Sequence, residues 1–264
     1  MRTIGALCGL LVVLGTGASF AADAPPPLRV GIAGNYPPLA FKENGELKGI
    51  EVDFAKRLGT ALGRPVVMVE VPWDDLPKAL LDDKTIDVIM SGTSITEKRK
   101  EKVDFADPYL KVGQMVLIRA DEYPQLRNAK ALDKPNLRVG FIANTTSAHY
   151  ARAHLSHAKL QGFDDADAGV AALRANQIDA FICDAPAVWR VTGGFGSKET
   201  QLRGLYTPLT NEHLAWAVRK GDDQLRHQLN TVLAHWKKDG TVDHVIDDWI
   251  TVKKTSIEVK PHTP

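Results

Sequence analysis

Two stretches of this chain open in the same way: "LRVGIAGNYPP" at 28–38 and "LRVGFIANTTS" at 137–147. Each is a β-branched apolar run carrying one glycine that breaks into small, hydroxylated or turn-forming residues. Behind the first, "GIEVDFAKRLGTALG" places Val52, Phe54, Ala55, Leu58 and Leu62 on one helical face, and "SAHYARAHLSHA" gives a helix behind the second. The strands "PVVMVEV" and "KLQGF" follow, then the helices "WDDLPKALLDD" and "DADAGVAALRANQ", then the buried strands "IDVIM" (86–90) and "IDAFICD" (178–184). Neighbouring parallel strands need a crossover, and a helix is the usual one, so this alternation predicts parallel sheets in an α/β protein with right-handed crossovers. Its repetition predicts two lobes.

"GQMVLIRA" (113–120) and "HLAWAVRK" (213–220) read as further strands, and a long helix from Asp222 to Lys238 stops at Gly240, a C′ glycine. The last part of the chain holds more strand and helix than the second lobe needs. It is therefore expected to return to the first, giving 27–111 with 213–252 as lobe 1 and 114–208 as lobe 2. Two chain crossings would join them.

The first residues set the compartment. Arg2, an apolar run to about Val13 and small residues up to Ala21 read as a secretory signal peptide at 1–21, cleaved after Ala21. Export to the periplasm is expected, and no later apolar run has the length of a membrane helix. A polar tail occupies 253–264. Lys and Arg total 33 against 32 Asp and Glu, so no basic excess points to nucleic acid or an anionic membrane surface. The mature chain keeps Cys183 as its one cysteine, which rules out an internal disulfide; in a buried strand it is expected to act as a small core hydrophobe. His154, His157, His213, His227, His235 and His244 show no metal-ligand spacing, and no metal or cofactor is expected.

In α/β sheets ligands collect at the carboxyl ends of strands, where helix N-termini point. Tyr36 and Trp73 follow the first two strands; Ser91, Gly92, Thr93 and Ser94 follow "IDVIM"; Thr145, Thr146 and Ser147 follow "LRVGFIA"; Asp184 closes "IDAFICD". From residue type alone, each has a structural reading beside a functional one. Arg99 sits in a basic Lys98-Arg99-Lys100 group that solvent could hold. Asp184 precedes Ala185-Pro186 as a helix N-cap would, and the Thr145–Ser147 run suits capping equally well.

"GELKGIEVDFAKRLG", "IDVIMSGTSITEKRKEKVDFADPY" and "IDAFICDAPA", in this order and spacing behind a signal peptide, resemble the extracytoplasmic solute-binding proteins of polar-amino-acid ABC importers, the lysine/arginine/ornithine-, histidine- and glutamine-binding type. The resemblance spans nearly the whole mature chain. It implies a two-lobed periplasmic-binding-protein-like (type II) α/β fold with two hinge crossings and a ligand cleft between the lobes. It also implies a small-molecule ligand, an L-amino acid, delivered to the membrane permease of an ABC importer; a monomer is expected, with no nucleic-acid partner.

In that family the arginine of "ITEKR", here Arg99, grips the ligand carboxylate, a task suited to a planar guanidinium with two parallel donors. Asp184 matches the aspartate that receives the ammonium. Ser94 and Gly92 match hydroxyl and backbone contacts, and Thr146 adds a donor to the carboxylate. Tyr36 and Trp73 match the aromatic pair around the ligand side chain. The basic-amino-acid relatives carry an acid where this chain has Ala33. With Ile142 and Ser147 this suggests a less polar distal pocket and a neutral side chain, unless Glu43 or Glu70 compensates.

The chain also resembles cyclohexadienyl (arogenate/prephenate) dehydratases, through "GNYPPLAF", "MSGTSI", "PYLKVGQ" and "TTSAHYARAHLSHAKL". Those enzymes use a glutamate as general acid at the position of Ala148, which has no proton to give. His149, next to it, projects in another direction on a helix. A binding protein with no catalytic residue is therefore the expectation.

Overall fold

The computed structural model describes residues 25–126, 128–193 and 199–250. The proposed signal peptide and polar tail lie outside these. Strand β1 (Leu28–Ile32) leads through a small meander, β2 (Asn35–Tyr36), β3 (Ala40–Glu43) and β4 (Glu46–Lys48), into helix α1 (Ile50–Leu62). Then come β5 (Val66–Glu70), α2 (Leu76–Leu81), β6 (Val88–Ile89), α3 (Glu97–Lys100) and β7 (Val103–Phe105). β8 (Leu110–Val112) leaves this lobe, and β9 (Gln114–Arg119) opens the next.

The second cycle runs β10 (Arg138–Ile142), α4 (Thr146–His154), β11 (Lys159–Phe163), α5 (Ala166–Arg174), β12 (Ala180–Asp184) and α6 (Ala185–Thr192). It closes on β13 (Leu202–Leu205). The chain then passes through β14 (Glu212–Leu214) and β15 (Ala217–Arg219) to helices α7 (Asp223–Asp239) and α8 (Thr241–Trp249).

Two five-stranded sheets result, ordered β5-β1-β6-β15-β7 and β11-β10-β12-β9-β13. β1 runs parallel to β5 and β6, as β10 does to β11 and β12; β15 and β9 each enter antiparallel at the equivalent place. The fold is thus a two-lobed α/β architecture with a repeated plan. Between the lobes β8 and β14 pair antiparallel, so the two connecting segments lie side by side.

The stretch 213–220, expected as one strand, is two. β14 pairs with β8 at the crossing and β15 pairs inside the first sheet. The break falls at Ala215 and Trp216. Ala215 N donates to Thr93 O at 3.0 Å, and the fully buried Trp216 indole donates to Glu51 Oε2 at 2.9 Å. Periodicity could not show this, because an apolar run reads as one strand whether or not it changes partner.

Helix α7 buries Leu225, Leu229, Leu233 and Trp236 at helical spacing and ends at Gly240, whose φ of 84° is the left-handed cap expected there. Trp236 joins Phe54, Tyr109 and Trp216 in an aromatic cluster, with Phe54 between 5.4 and 5.9 Å from each of the others. This cluster ties α7 to the first lobe. Cys183 is buried and unpaired, as a core thiol. Among the described residues no helix is long and apolar enough to cross a membrane.

Candidate ligand-binding site

A cleft of about 540 Å³, its opening to solvent included, lies between the lobes at the carboxyl ends of the parallel strands. The first lobe gives it Tyr36, Trp73, Gly92, Ser94 and Arg99; the second gives Ile142, Thr145, Thr146 and Asp184. Seven of the residues singled out at strand ends thus meet in one cavity with Arg99 and Ile142.

Local structure explains how each arrives. The β2–β3 pairing sets Tyr36 opposite Ala40 and aims its ring at the cleft. Gly92 then lies against that ring. Its φ is 65°, and a Cβ there would come 2.7 Å from Tyr36 Cε1, so only glycine fits this approach. Its amide donates to the buried Glu51 at 2.6 Å, and Glu51 also accepts from Tyr109 Oη at 2.7 Å and Trp216 Nε1. Burial pushes the Glu51 pKa up to about 6, with those donors pulling the other way. One buried carboxylate therefore pins the cleft-lining loop to the aromatic cluster.

Arg99 opens no solvent group. Thr96 caps α3 by accepting from Arg99 N, and the guanidinium turns back to donate to Ser94 O at 2.9 Å. Its central carbon lies 5.3 Å from the Trp73 ring, a cation–π contact that backs the cavity wall. Burial lowers its pKa, and Asp184 and then Glu212 oppose that shift electrostatically. The remaining N–H groups form a fork available to an anion.

Asp184 does sit at the N-cap of α6, yet its side chain makes no capping bond. Its carboxylate accepts from Gln114 Nε2 instead. Burial, then repulsion from Glu212, raises its pKa to about 6, despite donors and the attraction of Arg99. The Tyr36 hydroxyl is buried and forms no hydrogen bond of good geometry, but lies near enough to Asp184 that burial and this charge both hold its proton on.

Three expected site residues do not line this cleft. Ser91 Oγ accepts from Ala33 N at 3.0 Å, and Ser147 Oγ accepts from Ile142 N at 3.0 Å, so both hydroxyls hold strand ends in shape. Thr93 faces a neighbouring, larger groove that also takes in Ala148 and His149 and shares Arg99 and Trp73 with the cleft. Nor do Glu43 and Glu70 line the cavity: they pair with Lys48 and Lys42 respectively. The lobes touch across the opening, where Asn144 Nδ2 donates to Asp74 Oδ2 at 2.9 Å.

Residue reading missed others. Asp164 and Asp165, just after β11, line the cavity, as Ala33 does. The strand-end rule that found Asp184 would have found them. Gln114 and Glu212 stand behind Asp184, buried and outside any motif, and nothing in their spacing marks them.

The sequence profile of the bacterial extracellular solute-binding proteins, family 3, matches residues 28–252. The chain belongs to that family. This solute-binding protein is 30% identical over 225 residues to the L-cystine-binding protein of Escherichia coli K12, covering 84% of this chain and 82% of the relative. Among solved structures it resembles a binding component of an ABC transporter from Wolinella succinogenes complexed with lysine, with a TM-score of 0.81, 32% identity and coverage of 86% and 97% of the two chains. An ancestral amino-acid-binding protein described as a precursor of cyclohexadienyl dehydratase gives a TM-score of 0.78 at 34% identity, covering 85% and 95%.

Proposed function

We propose that this solute-binding protein captures an L-amino acid in the periplasm and delivers it to the permease of an ABC importer, acting as a monomer. The observation that carries this reading is the pairing of one half-buried guanidinium on the first lobe with one half-buried carboxylate on the second, lining the same cavity. A zwitterion bridges such a pair: its carboxylate takes the free fork of Arg99, helped by the start of α4 at Thr146, and its ammonium faces Asp184. Tyr36 and Trp73 form side-chain walls.

Because each lobe holds one charge, only the closed arrangement completes both contacts. The ligand therefore shifts the population toward closure by its differential affinity for that state. No bond is made or broken. The dehydratase reading asks for a proton donor at Ala148, a methyl side chain that is 2% exposed and faces the neighbouring groove.

Thermal shift with L-cystine, L-histidine, L-glutamine and L-lysine tests this, alongside prephenate and arogenate with product detection. A saturable rise in melting temperature with an amino acid and no turnover supports capture. Conversion of prephenate or arogenate would overturn it.

A further inference from the structure

The floor of the cleft beneath Asp184 holds more acceptors than donors. The Gln114 side chain has two N–H groups, and three oxygens compete for them: Thr146 Oγ1 at 2.9 Å, Glu212 Oε1 at 3.2 Å, and Asp184 Oδ1. Thr210 Oγ1 donates to Glu212 Oε1 at 2.6 Å and accepts from Gln114 N at 2.8 Å. Gln114 Oε1 and Glu212 Oε2 are buried without a partner. Two carboxylates thus share one amide, and a buried, unsatisfied acceptor is costly.

The charges around Asp184 come from several elements. Glu212 on β14 repels it and Arg99 on α3 attracts it; Tyr36 on β2 and the adjoining Cys183 stay protonated through burial. Gln114 on β9 is an uncharged contact, and it also donates to Thr146 on α4. Arg190 on α6 acts on Cys183, while Asp164 and Asp165 before α5 line the same cavity, Asp165 capping α5 through Ala168 N. An end this rich in anions and short of donors suits a group bringing both positive charge and several N–H bonds. A primary ammonium does so.

The placement adds a second point. Gln114 opens β9 directly after one chain crossing, and Glu212 opens β14 at the other. Both crossings therefore feed one polar network that ends on two cleft-lining groups, Asp184 and Thr146.

We propose that Glu212 is a positioning residue for the ammonium end of the cleft: through Gln114 it fixes the Asp184 carboxylate, and its own charge sets the acidity at which ligand is released. This rests on the amino-acid reading above. A ligand ammonium favours the ionised carboxylate, so affinity is full above the Asp184 pKa and falls about tenfold per pH unit below it.

The test measures Kd by calorimetry between pH 7.5 and 4.5, using whichever of L-cystine, L-histidine, L-glutamine and L-lysine binds tightest, on the mature chain and on E212Q and Q114M. E212Q removes the neighbouring charge and keeps the shape, so the acid limb of binding moves to lower pH. Q114M removes a donor to Asp184, so the limb moves the opposite way and affinity is weaker already at pH 7.5. A merely structural role would lower both melting temperatures and leave the limbs in place.

Ligand-free melting temperatures over the same range, with D184N as baseline, give an independent readout. Asp184 binds its proton more tightly folded than unfolded, so its contribution to stability grows as pH falls through about 6. E212Q shifts that gain to lower pH and Q114M to higher. Limbs that coincide with wild type in both variants, by either readout, overturn the proposal. If none of the four amino acids binds, the functional reading falls and the ligand-free limbs still decide the role of Glu212.

Discussion

Replacing Arg99 by alanine separates binding from folding in this protein. In the ligand-free molecule the guanidinium spends one N–H on Ser94 O and stacks on Trp73, while burial works against its charge. It carries no ion pair with a protein carboxylate among the described residues, so its removal should change the melting temperature little. Binding is different. A bidentate guanidinium–carboxylate contact supplies two charge-assisted hydrogen bonds of about 1.5–3 kcal/mol each, or roughly 3–6 kcal/mol together. At about 1.4 kcal/mol per decade, Kd should weaken by roughly two to four orders of magnitude. Arg99→Lys keeps the charge but loses the fork and should recover only part of this. Calorimetry on the amino acid found by thermal shift measures it directly. Affinity within threefold of wild type in R99A, with the fold intact by circular dichroism, would refute the clamp.

Two further substitutions probe the frame around the site. Gly92→Ala puts a methyl 2.7 Å from Tyr36 Cε1 at a left-handed φ, so it should cost about 1–2 kcal/mol of stability and push the Tyr36 ring into the cleft. Calorimetry and urea denaturation should therefore both report a loss; an unchanged Kd would show that this ring does not wall the ligand. Asp87 tests the first lobe. Burial raises its pKa, but hydrogen bonds from Arg29 and Arg219 more than reverse this and hold it at about 2. Its folded pKa is depressed, so its stabilisation is present above about pH 4 and lost as pH falls toward 2. Asp87→Asn should cost about 1–2 kcal/mol in urea at pH 7, after allowing for partial exposure, and almost nothing near pH 2; an equal cost at both would contradict the ion-pair account.

The two-lobed α/β plan was legible in the chain because its physical cause is local. A buried parallel strand has to be apolar along its length, and a covering helix has to be apolar on one face, so "LRVGIA", "LRVGFIA" and the helices behind them announce themselves. Strand-end position pointed to Tyr36, Trp73 and Asp184 before any coordinates, the family resemblance added Arg99, and the cavity gathers all four. Local sequence could not decide between Asp184 as helix cap and Asp184 as an acceptor lining the cleft. That choice depends on Gln114, 70 residues away, which draws the carboxylate off the helix terminus.

The same limit explains the other differences. Ser91 and Ser147 look identical to Ser94 in sequence, yet their hydroxyls are taken by backbone amides, that of Ala33 after β1 and that of Ile142 at the end of β10. The split of 213–220 follows from Trp216 seeking Glu51, 165 residues earlier. Hydrophobic period and turn chemistry, summed over neighbours in the chain, dictated where strands and helices form and which ends face a cleft. Which polar side chain is left free there, and which carboxylates lie close enough to repel each other, was decided by contacts between residues far apart in the chain, because hydrogen bonds and charges act through space and a buried group must take whatever partner the packed fold brings to it.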